Sequence, residues 1–309
     1  MLTIQPISFP NLGITVYNLP KSIPVNDDVS LTLYGLIVGA AIILCFLITQ
    51  WQARRTGQDG EIYIGIIIYA VIAALIGGRL VYLIESYRNF FDAAANMTSL
   101  ANGGFSTAGA IVWGFIVMYF YGKFRKAKFL KLADTSIVGV ITAEAVIRLG
   151  DFLNRENFGR YTNNVFAMRL SVEEVDQKAI TPTMLAAAEK EGYVGFIQVH
   201  PLFLYAFVIG IALSVFLLVI TPFRKFEGEL FLIGLTGYLV QSCLCQSFTR
   251  SPLHIPGTPI SMYQIIAVGL VALCVVFIIY GTGNTENATD RRKEYGKNKG
   301  KDTTGQYKA

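Results

Sequence analysis

The sequence predicts an all-α integral membrane protein: a bundle of seven transmembrane helices carrying a small extracytoplasmic cap. Three observations predict it. Of 309 residues, 53% are hydrophobic and only 15% are charged. The mean hydropathy is +0.49, too apolar for an ordinary soluble domain. Seven stretches reach or approach the roughly 20 mostly apolar residues that a spanning helix needs: 30–51, 62–84, 106–121, 135–150, 201–221, 228–248 and 260–280. Lys and Arg gather in alternate connections between those stretches, as the positive-inside rule requires of a multi-pass chain.

In chain order, residues 1–29 hold Pro6, Pro10, Pro20 and Pro24, which prevent a continuous helix. They lack the basic start and apolar core of a cleavable signal peptide, so they read as an extracytoplasmic lead-in. The membrane domain is expected over 30–281. Its first, fifth and seventh stretches carry no charge; the third and fourth are the shortest. Arg54 and Arg55 follow the first stretch. Lys123, Arg125, Lys126, Lys128 and Lys131 follow the third, and Arg224 and Lys225 follow the fifth. Those connections belong in the cytoplasm, with the N-terminus outside and the C-terminus inside. The largest connection, 151–199, is then the external cap. Within it "TPTMLAAAEKEG" (181–192) reads as a short helix, with Thr181 as N-cap and Pro182 in the first turn. Residues 282–309 are polar and rich in Gly, Asn and Lys, and read as a disordered basic cytoplasmic tail.

The net charge of +5 sits mostly in the cytoplasmic connections and the tail. It therefore reports topology and contact with anionic membrane lipids, not nucleic-acid binding. Cys45, Cys243, Cys245 and Cys274 all fall inside expected helices. A C-x-C pair on a helix faces two directions, so packing is the expected role, and no metal or cofactor is expected. There is no internal repeat.

Charges inside the apolar stretches carry the functional information. "AVIRLGDFLNRENFGR" (145–160) puts Arg148, Asp151, Asn154, Arg155, Glu156 and Arg160 at the end of one span. Arg79 lies near the outer end of the second span and Arg250 at the outer end of the sixth. All three arginines are expected at one depth on one side. They either snorkel to the interface or face a shared wet pocket. Glu144 lies four residues before Arg148 and is placed to pair with it. The alternative is an anion site, since guanidinium matches phosphate with paired donors. Gly77 and Gly78 beside Arg79, and Gly103 and Gly104, would let backbone or ligand come close.

"RLGDFLNRENFG" (148–159) resembles the signature of the prolipoprotein diacylglyceryl transferases, bacterial membrane enzymes that lipidate a cysteine. The family pattern G-R-x-G-N-F-x-N-x-E-x-x-G is met at Arg148, Gly150, Phe152, Asn154, Glu156 and Gly159. Ile147 stands in place of a Gly and Asp151 in place of an Asn. "YGLIVGA" (34–40), "GGRLVYLI" (77–84), "GGFSTAG" (103–109), "HPLFLY" (200–205) and "SMYQI" (261–265) resemble further family segments in the family's order. The resemblance also marks departures. The family's H-G-G histidine falls at Ala108, its sixth-helix arginine and glutamate at Cys243 and Ser247, and the glutamate that ends its H-P segment at Ala206.

The resemblance implies transfer of diacylglyceryl from phosphatidylglycerol to the lipobox cysteine of a prolipoprotein signal peptide, releasing glycerol phosphate. It places the chain in a bacterial cytoplasmic membrane. Arg148 would meet the phosphate, assisted by Arg79 or Arg250, with Asp151 at the family's asparagine position. Asn154 and Glu156 would orient the headgroup or Arg148; the competing reading is loop structure, with Asn154 in a turn and Glu156 paired to Arg155 or Arg160. Tyr34 would hydrogen-bond the headgroup or sit in an interfacial aromatic belt. A thiol with a pKa of about 8.5 needs a proton acceptor, and His200 or Glu156 would supply it in the absence of a histidine at 108. His254 is the other histidine. The rival reading is a non-catalytic or redirected relative that binds phospholipid headgroups and modulates lipoprotein processing. A transporter fits less well, because no paired spans are broken at mid-membrane by Gly or Pro.

Overall fold

A computed structural model describes residues 5–26, 29–85, 106–249 and 261–305. Arg250, His254, Gly103 and Gly104 lie outside the described residues. The chain forms two compact units, Met1–Leu44 with Val140–Ala309, and Cys45–Gly139.

The described elements run β1 (Ile7–Phe9), β2 (Ile14–Val16), β3 (Ser22–Asn26), β4 (Val29–Thr32), α1 (Leu33–Arg55), α2 (Gly60–Glu85), α3 (Thr107–Phe124), α4 (Phe129–Asn154), β5 (Met168–Ser171), α5 (Pro182–Glu191), β6 (Phe196–Val199), α6 (Leu202–Ile220), α7 (Glu229–Phe248) and α8 (Met262–Gly305). Five of the helices, α1, α2, α6, α7 and α8, contain segments long and apolar enough to cross a membrane. They turn large apolar side chains outward, such as Ile43, Leu47, Ile68, Val215 and Val276. That pattern suits lipid and not water. Helix α3 is the shorter apolar one, and α4 carries Lys131, Asp134, Glu144, Arg148 and Asp151 along its length.

The structure departs from an all-α reading in the first unit. There β2-β1-β5-β6 form a four-stranded antiparallel sheet and β3 pairs β4 in a hairpin. The lead-in expected over 1–29 thus supplies strands to the same sheet as the 151–199 cap. Alternation explains why: Ile7 and Phe9, Met168 and Leu170, and Ile197 and Val199 all point inward. Met184 of α5 and Phe203 of α6 close the core over them. Helix α5 begins as expected, with Thr181 as N-cap residue and Pro182 in the first turn. The Thr181 hydroxyl, however, bonds the Thr183 hydroxyl at 2.8 Å in place of a backbone N–H.

In the second unit α2 and α3 pack closely. A Cβ at Gly77 would lie 2.0 Å from the Trp113 ring, so the room expected beside Arg79 for backbone or ligand is filled by an indole. Tyr63 donates to Gln58 at 2.6 Å and Gln58 to Thr135 at 2.6 Å, pinning the start of α2 to α4.

Two boundaries differ from the sequence expectation. Helix α4 continues to Asn154, so Asp151 and Asn154 lie in its last turn and not in the loop beyond. Helix α8 continues to Gly305, past the expected start of a disordered tail at 282. In both cases no proline interrupts the backbone donors.

Candidate functional site

The last three turns of α4 build the charged part of the site. Glu144, Arg148 and Asp151 are spaced four and three residues apart, which stacks them on one helix face. Glu144 Oε1 accepts from Arg148 Nη2, and Asp151 Oδ2 accepts from Arg148 Nη1 at 3.2 Å. The three side chains are 17%, 26% and 4% exposed, so the guanidinium is gripped at both terminal nitrogens in a largely desolvated place. Its Nε is buried and meets no hydrogen-bond acceptor among the described residues. Tyr34 of α1 lies beside this helix turn. Gly150 allows it there, because a Cβ at 150 would stand 2.7 Å from the Tyr34 ring. Tyr34 is within the field of Asp151, Glu156, Arg148 and Glu144. Tyr238 of α7 also faces Arg148; no feature of the sequence pointed to it.

Helix α4 ends in a Schellman motif. Glu156 N donates to Asp151 O at 2.9 Å and Arg155 N to Phe152 O at 3.2 Å. Arg155 takes the left-handed position, at φ 57, where glycine is usual. Its guanidinium, 1% exposed, repays that strain: Nε lies 2.6 Å from Glu174 Oε2, an ion contact and not an aligned hydrogen bond. Nη1 and Nη2 donate to Leu153 O at 3.0 Å and Leu19 O at 2.9 Å. Arg155 therefore pairs with Glu174 and not with Glu156. Its role escaped the sequence reading because a left-handed arginine leaves no local pattern. Glu156 instead accepts from Asn154 Nδ2 at 3.2 Å. Protein around its carboxyl raises the Glu156 pKa above the usual value, although its outer surface is exposed, and the Asn154 bond opposes the rise.

His200 stands between β6 and α6. Its Nδ1 is 3.2 Å from the Tyr205 hydroxyl and 3.4 Å from Asn164 Nδ2, while Asn164 Nδ2 also donates to that hydroxyl at 3.0 Å. With the amide so oriented Nδ1 must accept, which puts the proton of the neutral ring on Nε2. The ring packs on Phe248 with centroids 4.8 Å apart. Burial, and then the charge of Arg160, lower the His200 pKa. The end of the signature is tied to the same place: Gly159 N donates to His200 O at 2.9 Å and Arg160 N to Phe248 O at 2.8 Å.

"SMYQ" at 261–264 is a capping box. Gln264 N donates to Ser261 Oγ at 3.2 Å and Ser261 N to Gln264 Oε1 at 3.0 Å. The Gln264 amide then bridges to α7, donating to Ser247 Oγ at 3.0 Å and Cys243 O at 3.3 Å. So Ser247 and the backbone of Cys243, where the resemblance put a charged pair, are occupied by a neutral amide. Arg79 is buried in α2, in the second unit, beside the Ser106 N to Gly78 O bond of 3.0 Å.

Bilayer-length apolar helices, together with a desolvated arginine held between carboxylates at a helix end, define a multi-pass membrane protein with a polar site at the end of one helix. Within that class the chain belongs to the prolipoprotein diacylglyceryl transferase family, whose sequence model matches residues 20–280. It is 24% identical over 258 residues to the phosphatidylglycerol–prolipoprotein diacylglyceryl transferase of Clostridioides difficile (strain 630), covering 83% of this chain and 94% of that one. It is 24% identical over 268 residues to the protein so named in Bacillus cereus (strain B4264), covering 84% and 94%. The corresponding Bacillus anthracis (strain CDC 684 / NRRL 3495) protein is 23% identical over 265 residues, covering 84% and 93%.

Proposed function

We propose that this chain transfers diacylglyceryl from phosphatidylglycerol to the lipobox cysteine thiol of prolipoproteins. The thiolate sulfur attacks the glyceryl carbon, the carbon–oxygen bond to phosphate breaks, and glycerol phosphate leaves with the electron pair. The observation that carries the site assignment is the Arg148 fork. It is held by carboxylates at both terminal nitrogens and largely desolvated, a planar cation whose paired donors match a phosphate that displaces one of them. Asn154 ends α4 six residues after Arg148, Glu156 follows just past the helix end, and both suit the glycerol hydroxyls. Of the two candidates for the thiol proton, Glu156 is the better placed. It is exposed and its raised pKa makes it the stronger carboxylate base, whereas His200 Nδ1 is engaged by Tyr205 and Asn164. Tyr34 contacts the headgroup from α1. Arg79 and Arg250 are separate candidates for anion contact, each to be tested by its own alanine variant.

In this reading α3 and α4 join the five longer apolar helices as spans, for seven in all. The Lys/Arg-bearing connections face the cytoplasm of a bacterium, and the sheet with α5 forms the outer cap. The protein is assayed in phosphatidylglycerol bilayers with a lipobox peptide, and in cells depleted of their own transferase. Thioether formation and rescue that vanish in Arg148→Ala support the assignment. Phosphatidylglycerol binding without transfer, consistent with Ala108 at the family's histidine position, favours the redirected relative.

A further inference from the structure

Glu144 is left unexplained by the family signature, which begins three residues later, at Ile147. A carboxylate among Thr142, Ala143, Ala145 and Val146 is costly at membrane depth. It is retained against Arg148, on which Asp151 already closes from the other side. One guanidinium thus faces two carboxyl groups before any substrate arrives. That is a poor design for maximal phosphate affinity. It is a suitable design for letting an anion go.

The reaction makes release the harder problem. The donor phosphodiester carries one negative charge, and the glycerol phosphate product is a monoester that gains a second. A lone desolvated arginine would hold the product more tightly than the donor. We propose that Glu144 is a positioning residue that competes with the phosphate for Arg148 and recaptures the guanidinium as glycerol phosphate departs. This rests on Arg148 being the phosphate contact proposed above. Glu144 and not Asp151 is the mobile partner. Asp151 is 4% exposed and on a short side chain, whereas Glu144 is 17% exposed and has one more methylene with which to swing from Nη2.

The experiment uses the full chain in phosphatidylglycerol nanodiscs with a lipobox peptide, and measures kcat, donor KM and the inhibition constant of glycerol 1-phosphate. In Glu144→Gln the inhibition constant falls about tenfold, the scale expected when one carboxylate competitor leaves a desolvated cation. Donor KM falls less, kcat falls, and a burst of thioether precedes the steady state. An inhibition constant that is unchanged or raised overturns the proposal. If Glu144→Gln does not fold, Glu144→Asp decides it. The shorter side chain reaches Arg148 less well, so inhibition tightens by a smaller factor, and unaltered inhibition overturns the idea. Full turnover in Arg148→Ala instead removes the phosphate assignment itself. That outcome is distinct from an essential Arg148 whose product inhibition ignores residue 144.

Discussion

Arg148 and His200 belong to the same unit but are held in opposite ways. Around Arg148 two of the partners are formal charges, Glu144 and Asp151, with the Tyr238 phenol beside them, and Nε meets no acceptor among the described residues. Around His200 the partners are neutral: an amide, a phenol and the Phe248 ring. Charge-paired groups can exchange one anion for another at little cost in desolvation, because the ligand replaces a like group. His200 has its Nδ1 taken, and burial and then the Arg160 charge disfavour its charged form. On the function proposed above, Arg148 is suited to exchange one anion for another and His200 to join loops, although both lie in segments that resemble family motifs.

The largest effect that would break this contrast is catalytic. Arg148→Ala is expected to reduce transfer by about 10²–10³-fold, the usual loss of an oxyanion-stabilising donor, whereas His200→Gln should reduce kcat less than about tenfold. The reverse order in a reconstituted assay would exchange the two roles. Next comes stability. Arg155→Ala removes one side of a buried ion pair and should lower unfolding stability by about 3 kcal/mol, read as a shift in denaturation midpoint. Arg155→Gly should recover about 1 kcal/mol of that loss, because glycine accepts the left-handed backbone. A smaller change is expected at the α7–α8 bridge, where Gln264→Ala loses a capping box and should destabilise by about 1 kcal/mol. The smallest effect is pH dependence. The His200 pKa in the folded state lies below 6.5, its ordinary value, so in that interval the unfolded chain binds more protons and stability rises with pH. Glu156, with its pKa raised above 4.5, gives the opposite slope over its own interval. Melting profiles between pH 4 and 7, on the order of the ordinary Glu and His values, should lose the upper slope in His200→Phe and the lower one in Glu156→Gln.

Much of the helical framework was legible because apolar stretches of bilayer length leave a strong pattern, and the Glu144–Arg148 pair because i,i+4 spacing fixes it. The sheet was not legible. Its strands are three or four residues long, and β1 meets β5 at Ser8 and Arg169, far apart in sequence. Short strands carry little periodicity, and pairing partners at that separation have no local signature. Four prolines argued against a continuous helix in the lead-in but said nothing of strands, and Pro24 sits inside β3 of a two-stranded hairpin, where every strand is an edge and the missing N–H is tolerated. At Gly77 the pattern signalled close approach correctly but not what approaches, since an indole and a ligand leave the same trace.

The pairing of β1 with β5 has a consequence for how the molecule is made. Lys21 Nζ reaches Glu174 O across 153 residues of chain, and Leu19 O waits for Arg155 across 136. Strand β1 is therefore made long before β5 and cannot complete its pairing until β5 follows. Until translation has delivered α4 and β5, the amino-terminal strands have open edges, which invite pairing with other chains. A chain that stops short of β5 keeps the outer edge of β1 uncovered.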